Sequence, residues 1–186
     1  PFDQSVLNCI RIATYAHQIP TAVDMIKDAH DKGYETCCNI MAISTVADSE
    51  IDKALETLAE TPVETVVVVD SYGALYHEQI RALVRKYVAM AKSTGKEVGI
   101  HTHNNMQLAF ANTIEAIIQG ANRIDATMLG LGRGAGNCPM ELLLGFLKNP
   151  KFDLRPIFKL LQDHIMPLRR TKEWGALIPY VVTGIL

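Results

Sequence analysis

The chain has 186 residues, 48% of them hydrophobic and 20% charged, with a formal net charge of −2. That balance suits a soluble globular protein and excludes a disordered tail, a collagen-like repeat and a strongly basic nucleic-acid binder. No run of about 18 apolar residues occurs, so neither a bilayer span nor a membrane partner is expected.

In chain order, the start Pro1-Phe2-Asp3-Gln4 has no charged n-region and no apolar h-region, so no signal peptide is expected. It also lacks an initiator Met, and the chain is expected to begin partway through a longer protein. Short β-branched runs then alternate with longer amphipathic ones. Strands are predicted at 7–14, 35–43, 64–70, 97–103 and 122–128, and helices at 20–32, 49–59, 77–93 and 106–119. Ile80, Leu83, Val84, Tyr87 and Val88, for example, fall on one helical face. Gly33, Gly95 and Gly120 follow helical patterns where a left-handed C-cap residue is expected. Beyond Pro150 the pattern is helix and loop, broken at Pro156, Pro167 and Pro179.

The four cysteines, Cys9, Cys37, Cys38 and Cys138, form no CxxC pair. Cys37 and Cys38 sit in one predicted strand and should face opposite ways. They read as small hydrophobes kept reduced in the cytoplasm, not as a zinc site.

Strand-then-helix repeats of this length imply parallel strands with right-handed crossovers. An open doubly wound sheet and part of a (β/α)8 barrel both fit. Central strands of a doubly wound sheet are apolar on both faces, yet Arg11, His101, His103, Asp125 and Thr127 lie inside these runs. A barrel interior places such groups in layers and aims them at its C-terminal mouth. The barrel is therefore the expected fold. A complete one takes about 250 residues, so residues 1–148 are expected to be its last five βα units. Residues 149–186 would be a helical extension packing on it. About three units would lie upstream of Pro1, and a self-contained five-stranded sheet is the alternative. As even-numbered strands of such a barrel, those carrying Arg11 and Asp125 would share interior layers, and the two charges are expected to pair.

Three features carry chemistry. His101-Thr102-His103-Asn104-Asn105 ends a strand, and period two puts both imidazoles on one face, where they can bind one divalent ion given a third ligand. The same pair would also serve as hydrogen-bonded strand histidines. Gly130-Leu131-Gly132-Arg133-Gly134-Ala135-Gly136-Asn137 allows close backbone approach to a ligand, or a tight structural turn. Asp70, closing the run Val66 to Val69, reads either as a helix N-cap or as a substrate-binding carboxylate aimed into the mouth.

Taken with Arg11-Ile12-Ala13-Thr14, Asp70-Ser71, Gly73-Ala74 and Arg123-Ile124-Asp125-Ala126-Thr127, the HxHN and GAGN-x-P-x-E motifs resemble 4-hydroxy-2-oxovalerate aldolases. These belong to the metal-dependent aldolase and lyase family that includes hydroxymethylglutaryl-CoA lyase and isopropylmalate synthase. The resemblance runs from residue 7 to about 147. It implies a (β/α)8 barrel and a divalent-metal-dependent aldolase that cleaves a short 4-hydroxy-2-oxo acid to pyruvate and an aldehyde through a metal-stabilised enolate. It also implies His101 and His103 as metal ligands, Asn137 as a further ligand or substrate-binding neighbour, and Tyr180 as the catalytic tyrosine lining the pocket. Mn²⁺ is the expected cofactor, with Mg²⁺, Co²⁺ or Zn²⁺ as alternatives. The partner is a small 2-oxo acid, and a homo-oligomer or a partner aldehyde dehydrogenase is compatible with it.

The family's first-strand Arg-Asp pair and the histidine after it have no match here. Arg133 also replaces a usually small residue. An acyl-CoA condensing enzyme and a non-catalytic barrel fragment are the alternative functions. The isolated 186 residues are expected to be inactive and poorly stable, because an opened barrel exposes strand edges.

Overall fold

The computed structural model describes Asp3 and residues 5–185. Pro1, Phe2 and Gln4, on which the absence of a leader was read, lie outside the described residues, as does Leu186. Five strands, β1 (Cys9–Tyr15), β2 (Glu35–Met41), β3 (Thr65–Asp70), β4 (Glu97–Thr102) and β5 (Arg123–Ile124), form one sheet in sequential order. Every neighbouring pair is parallel. The crossovers are α1 (Ile19–Asp31), α2 (Asp48–Ala59), α3 (His77–Thr94) and α4 (Ala109–Gln119). Then come α5 (Met140–Leu147), α6 (Leu154–Leu160), a π turn (Leu161–Ile165), α7 (Met166–Thr171) and α8 (Ile178–Ile185). Among the described residues no helix is long and apolar enough to cross a membrane.

The two faces of the sheet differ in kind. Ile12, Cys38, Ile40, Val66, Val68, Val98 and Ile100 pack with the buried faces of α1 to α4 in the main core. The predicted α3 face is part of it, with Ile80, Leu83, Val84 and Tyr87 all buried. The opposite face holds a small separate cluster, Cys37, Val67 and Val69 with Cys9 beside it, and no helical residue joins it. Cys37 and Cys38 thus face opposite ways, and all four cysteines are free. One-sided helix cover is the layering of a barrel wall, whereas a doubly wound sheet is covered on both faces.

Curvature is shown by a single ion pair. Arg11 of β1 forks onto Asp125, just past β5, with bonds of 2.9 and 2.7 Å. Four strand spacings on a flat sheet amount to about 19 Å, beyond the combined reach of an Arg and an Asp. The sheet therefore bends until its first and last strands face one another. The expected pairing of Arg11 with Asp125 is observed, although the Arg11 side chain keeps 44% of its exposure.

Two predicted elements are shorter than expected. The strand at 122–128 is regular only over Arg123–Ile124, because Thr127 leaves β4 to bridge Pro139 and Met128–Gly130 turns as a 3-10 helix. The helix predicted from 106 begins at Ala109, whose amide donates to the Asn104 side chain at 3.1 Å.

Candidate functional site

The candidate site is built at the C-terminal ends of β3, β4 and β5. His101 is the fifth residue of β4 and pairs with Val69, on the face away from the helices. His103 lies just past the strand and makes an antiparallel bridge with Asn137 of the glycine loop. The two imidazole centroids are 5.2 Å apart with their planes at 60°. The period-two reading thus places both rings together, and the bridge adds Asn137.

These three side chains have different surroundings. His101 Nδ1 lies 2.9 Å from Asp125 Oδ2. Burial pushes the Asp125 carboxyl up, but hydrogen bonds from His101 and Arg11 outweigh this and hold its pKa at about 2. Asp125 is therefore an acceptor only, and His101 Nδ1 is the donor. The ring nitrogens of His103 have no hydrogen-bond partner among the described residues, and burial, helped by His101 and Arg133, lowers its pKa to about 4. His103 is thus neutral at physiological pH, with a lone pair free. Asn137 Nδ2 donates to the Leu131 carbonyl at 3.1 Å. Its Oδ1 is buried with no partner.

A buried acceptor left unpaired costs free energy, on the order of 1–3 kcal/mol. An amide oxygen in that state, on a residue whose backbone pairs with that of a neutral histidine beside a second one, is of the nitrogen and oxygen donor type that a divalent cation takes. Among the described residues no three His, Cys, Asp or Glu side chains gather to hold a metal. The donor set present is two imidazoles and one amide oxygen, with coordination positions to spare.

Asp70 is placed differently from either reading of the sequence. It is fully buried, and its two oxygens accept from the Ala74 and Leu75 amides at 3.1 and 3.3 Å. It does not cap α3, whose N-cap is Tyr76. Burial raises its pKa, partly offset by those amides. Its carbonyl accepts the His103 N–H at 3.2 Å. The link from Asp70 to the site therefore runs through backbone, while its carboxylate organises the loop beneath. Tyr180, on α8, lies over the same glycine loop: a Cβ on Gly134 would meet its ring at 3.4 Å.

A model of the HMGL-like family matches residues 8–162. The chain belongs to the HMGL-like family. A 4-hydroxy-2-oxovalerate aldolase of Bacillus cereus is 32% identical over 163 residues, covering 86% of this chain and 47% of the relative. A Mycolicibacterium smegmatis protein named 4-hydroxy-2-oxovalerate aldolase 2 is 36% identical over 135 residues, 73% of this chain and 38% of its own. The chain spans about half the length of the curated relatives it matches. Among solved structures, the N-terminal domain of a candidate aldolase from Bacteroides vulgatus superposes with a TM-score of 0.84 at 31% identity, over 96% of this chain and 59% of that one. The HMG-CoA lyase of Bacillus subtilis gives 0.72 at 17% identity, over 94% and 67%, which speaks for a shared fold alone.

Three residues of this HMGL-like chain matter to the site although the sequence reading assigned them no role. Asn105 Nδ2 donates to the Tyr180 carbonyl at 2.7 Å and to Thr183 Oγ1 at 2.8 Å, tying α8 to the histidine loop. The buried Trp174 donates Nε1 to the Leu129 carbonyl at 3.0 Å, and Gly175 donates its amide to Gly134. Glu141 accepts from the amide of Leu129, which sits at φ 53°. The second Asn of the HxHNN run and the Glu of the GAGN-x-P-x-E motif, Glu141, are the visible signals. The Trp174 contact crosses 45 residues and leaves no local pattern.

Proposed function

We propose that this chain carries the HxH and glycine-loop side of a divalent-metal-dependent aldolase acting on a short 4-hydroxy-2-oxo acid and releasing pyruvate and an aldehyde. The observation that supports it most is the buried, unpartnered Oδ1 of Asn137 on a residue whose backbone bridges His103, itself stacked edge-on against His101. In this reading the five strands are a continuous arc of a (β/α)8 barrel. Residues 1–148 make up that arc, and residues 149–186 close over its mouth. Both outer strands, β1 and β5, have an open edge among the described residues, which suits completion of the barrel by further strands.

His101, His103 and Asn137 are the residues that would hold the cation, with Mn²⁺ the first candidate. Bound there, a divalent cation supplies a Lewis acid for the 2-oxo carboxylate and a counter-charge for the enolate formed as the C3–C4 bond breaks. The chain's own residues do the rest of the positioning. Neutral His103 offers a lone pair without having to lose a proton. Asn137 is aimed by the hydrogen bond that its Nδ2 donates to the Leu131 carbonyl. Tyr180 walls the pocket above Gly134 and is the candidate catalytic residue on this side. Asp70 shapes the loop that delivers His103 and does not contact substrate. The free cysteines suit a cytoplasmic setting.

The test is Mn²⁺ calorimetry on the full-length protein alongside pyruvate release from 4-hydroxy-2-oxo acids. His101→Ala and His103→Ala should each abolish binding and turnover while leaving the far-ultraviolet dichroism intact, because mouth residues serve function more than packing. Undiminished Mn²⁺ binding by both variants would place the cation elsewhere and end this reading.

A further inference from the structure

Arg11 and Asp125 do more than neutralise one another. Asp125 N–H donates to the Ile100 carbonyl at 3.1 Å, so the residue continues the β4–β5 register and stands beside His101. Its carboxylate is held from the far side of the concave face by both guanidinium nitrogens of Arg11, at 2.9 and 2.7 Å. The oxygen that takes the shorter of these bonds, Oδ2, also takes His101 Nδ1 at 2.9 Å.

We propose that Arg11 and Asp125 are positioning residues that lock His101 in one tautomer and one ring orientation, with Nδ1–H toward Asp125 and Nε2 presented to the site. An ionised carboxylate only accepts, so the bond to Asp125 fixes the proton on Nδ1 and leaves the Nε2 lone pair free. Arg11 contributes rigidity. A bidentate fork sets the plane of the carboxylate, which a point charge does not. The asymmetry with His103 is informative. The backbone of His103 is pinned by its bridge to Asn137, whereas His101, inside a strand, has no loop to aim it and relies on Asp125 beside it, itself held by Arg11 of β1. The tautomer lock stands on the hydrogen bonds alone, while its consequence for a cation rests on the aldolase reading above.

The experiment is ¹⁵N-detected imidazole NMR of the full-length, metal-free protein at about pH 8, above the ordinary histidine range. It is run on wild type, Asp125→Asn, Arg11→Met and Arg11→Lys, with Mn²⁺ affinity measured in parallel. Wild-type His101 should be essentially all Nδ1–H. Asp125→Asn should shift it to a mixture or to the Nε2–H form, since the amide can donate as well as accept. Arg11→Met should broaden or partly mix the tautomers, and Arg11→Lys should fall between Met and wild type. Mn²⁺ affinity should fall by about 10- to 100-fold in Asp125→Asn. Should Asp125→Asn not fold, the Arg11 pair still decides the question. A wild-type His101 that is Nε2–H, or one whose tautomer is unmoved in every folded variant, would overturn the proposal. A tautomer shift in a protein whose wild type binds no Mn²⁺ would uphold the lock and remove the metal reading.

Discussion

A Cβ placed on Gly136 would stand 2.1 Å from the carbonyl oxygen of Gly130, closer than any side chain tolerates. That same carbonyl accepts the Asn137 N–H at 2.9 Å, and Gly136 itself has φ 84°. The close approach is therefore what carries Asn137 to His103. Gly136→Ala combines left-handed strain with a backbone collision and should cost more than about 2 kcal/mol. Gly95→Ala, at φ 72° in open space, bears only the strain, about 1–2 kcal/mol. Urea denaturation of the two variants side by side checks the ranking. Equal losses would mean that the loop relaxes freely.

Asn105 joins the histidine loop to α8, and Gly184 of that helix packs where a Cβ would meet Asn105 Cβ at 2.8 Å. Asn105→Ala removes two hydrogen bonds worth about 0.5–1.5 kcal/mol each. The loss should be local. Amide exchange should quicken across residues 178–185 while β1 to β4 keep their protection, and uniform acceleration throughout would count against a local tether.

Acid stability should carry the signature of Asp125. Its folded pKa, about 2, lies below the ordinary Asp value of about 3.9, so its contribution is present above pH 4 and is lost as pH falls through 2. The difference corresponds to an upper bound of about 2.5 kcal/mol. Because the Arg11 side chain is 44% exposed, solvent screening reduces the pair's share to about 1 kcal/mol. Denaturation of the metal-free protein between pH 7 and pH 2 should show a shallower acid limb in Asp125→Asn than in wild type. Identical limbs would assign the acid loss to other carboxylates.

Much of this site is legible in the sequence because it depends on period two along strands. That period alone puts His101 and His103 on one face, separates Cys37 from Cys38, and leaves Arg11 and Asp125 as charges in need of a partner. It does not reveal that Asp125 is shared with His101, because that contact depends on the β4–β5 register, which sets Asp125 beside His101 across 24 residues of chain. The strand at 122–128 is over-read for a related reason: its second half has suitable residues but pairs with the loop at Pro139 instead of β4. Asp70 shows the limit most clearly. A carboxylate at a strand end has the same local pattern whether it meets substrate or, as here, the amides of its own loop. Asn105 stands in the HxHNN run, but its role is set by where α8 docks, and Trp174, reaching back to Leu129, is beyond local reading.

Arg133 is exposed in the glycine loop and makes no ion pair among the described residues. Its charge is nonetheless felt at His103, where burial is the largest cause of the lowered pKa, followed by His101 and then Arg133. Removing a nearby cation makes protonation of the imidazole easier, so Arg133→Ala should raise the His103 midpoint from about 4. The rise should be partial, because burial remains, and the midpoint should stay below the unperturbed value of about 6.5. Proton NMR titration of the metal-free variant reads this directly. A midpoint that does not move would mean that solvent screens the guanidinium completely. One that climbs all the way to 6.5 would mean that the loop had opened and let water reach His103, making Arg133 a structural residue of the loop instead of a remote charge.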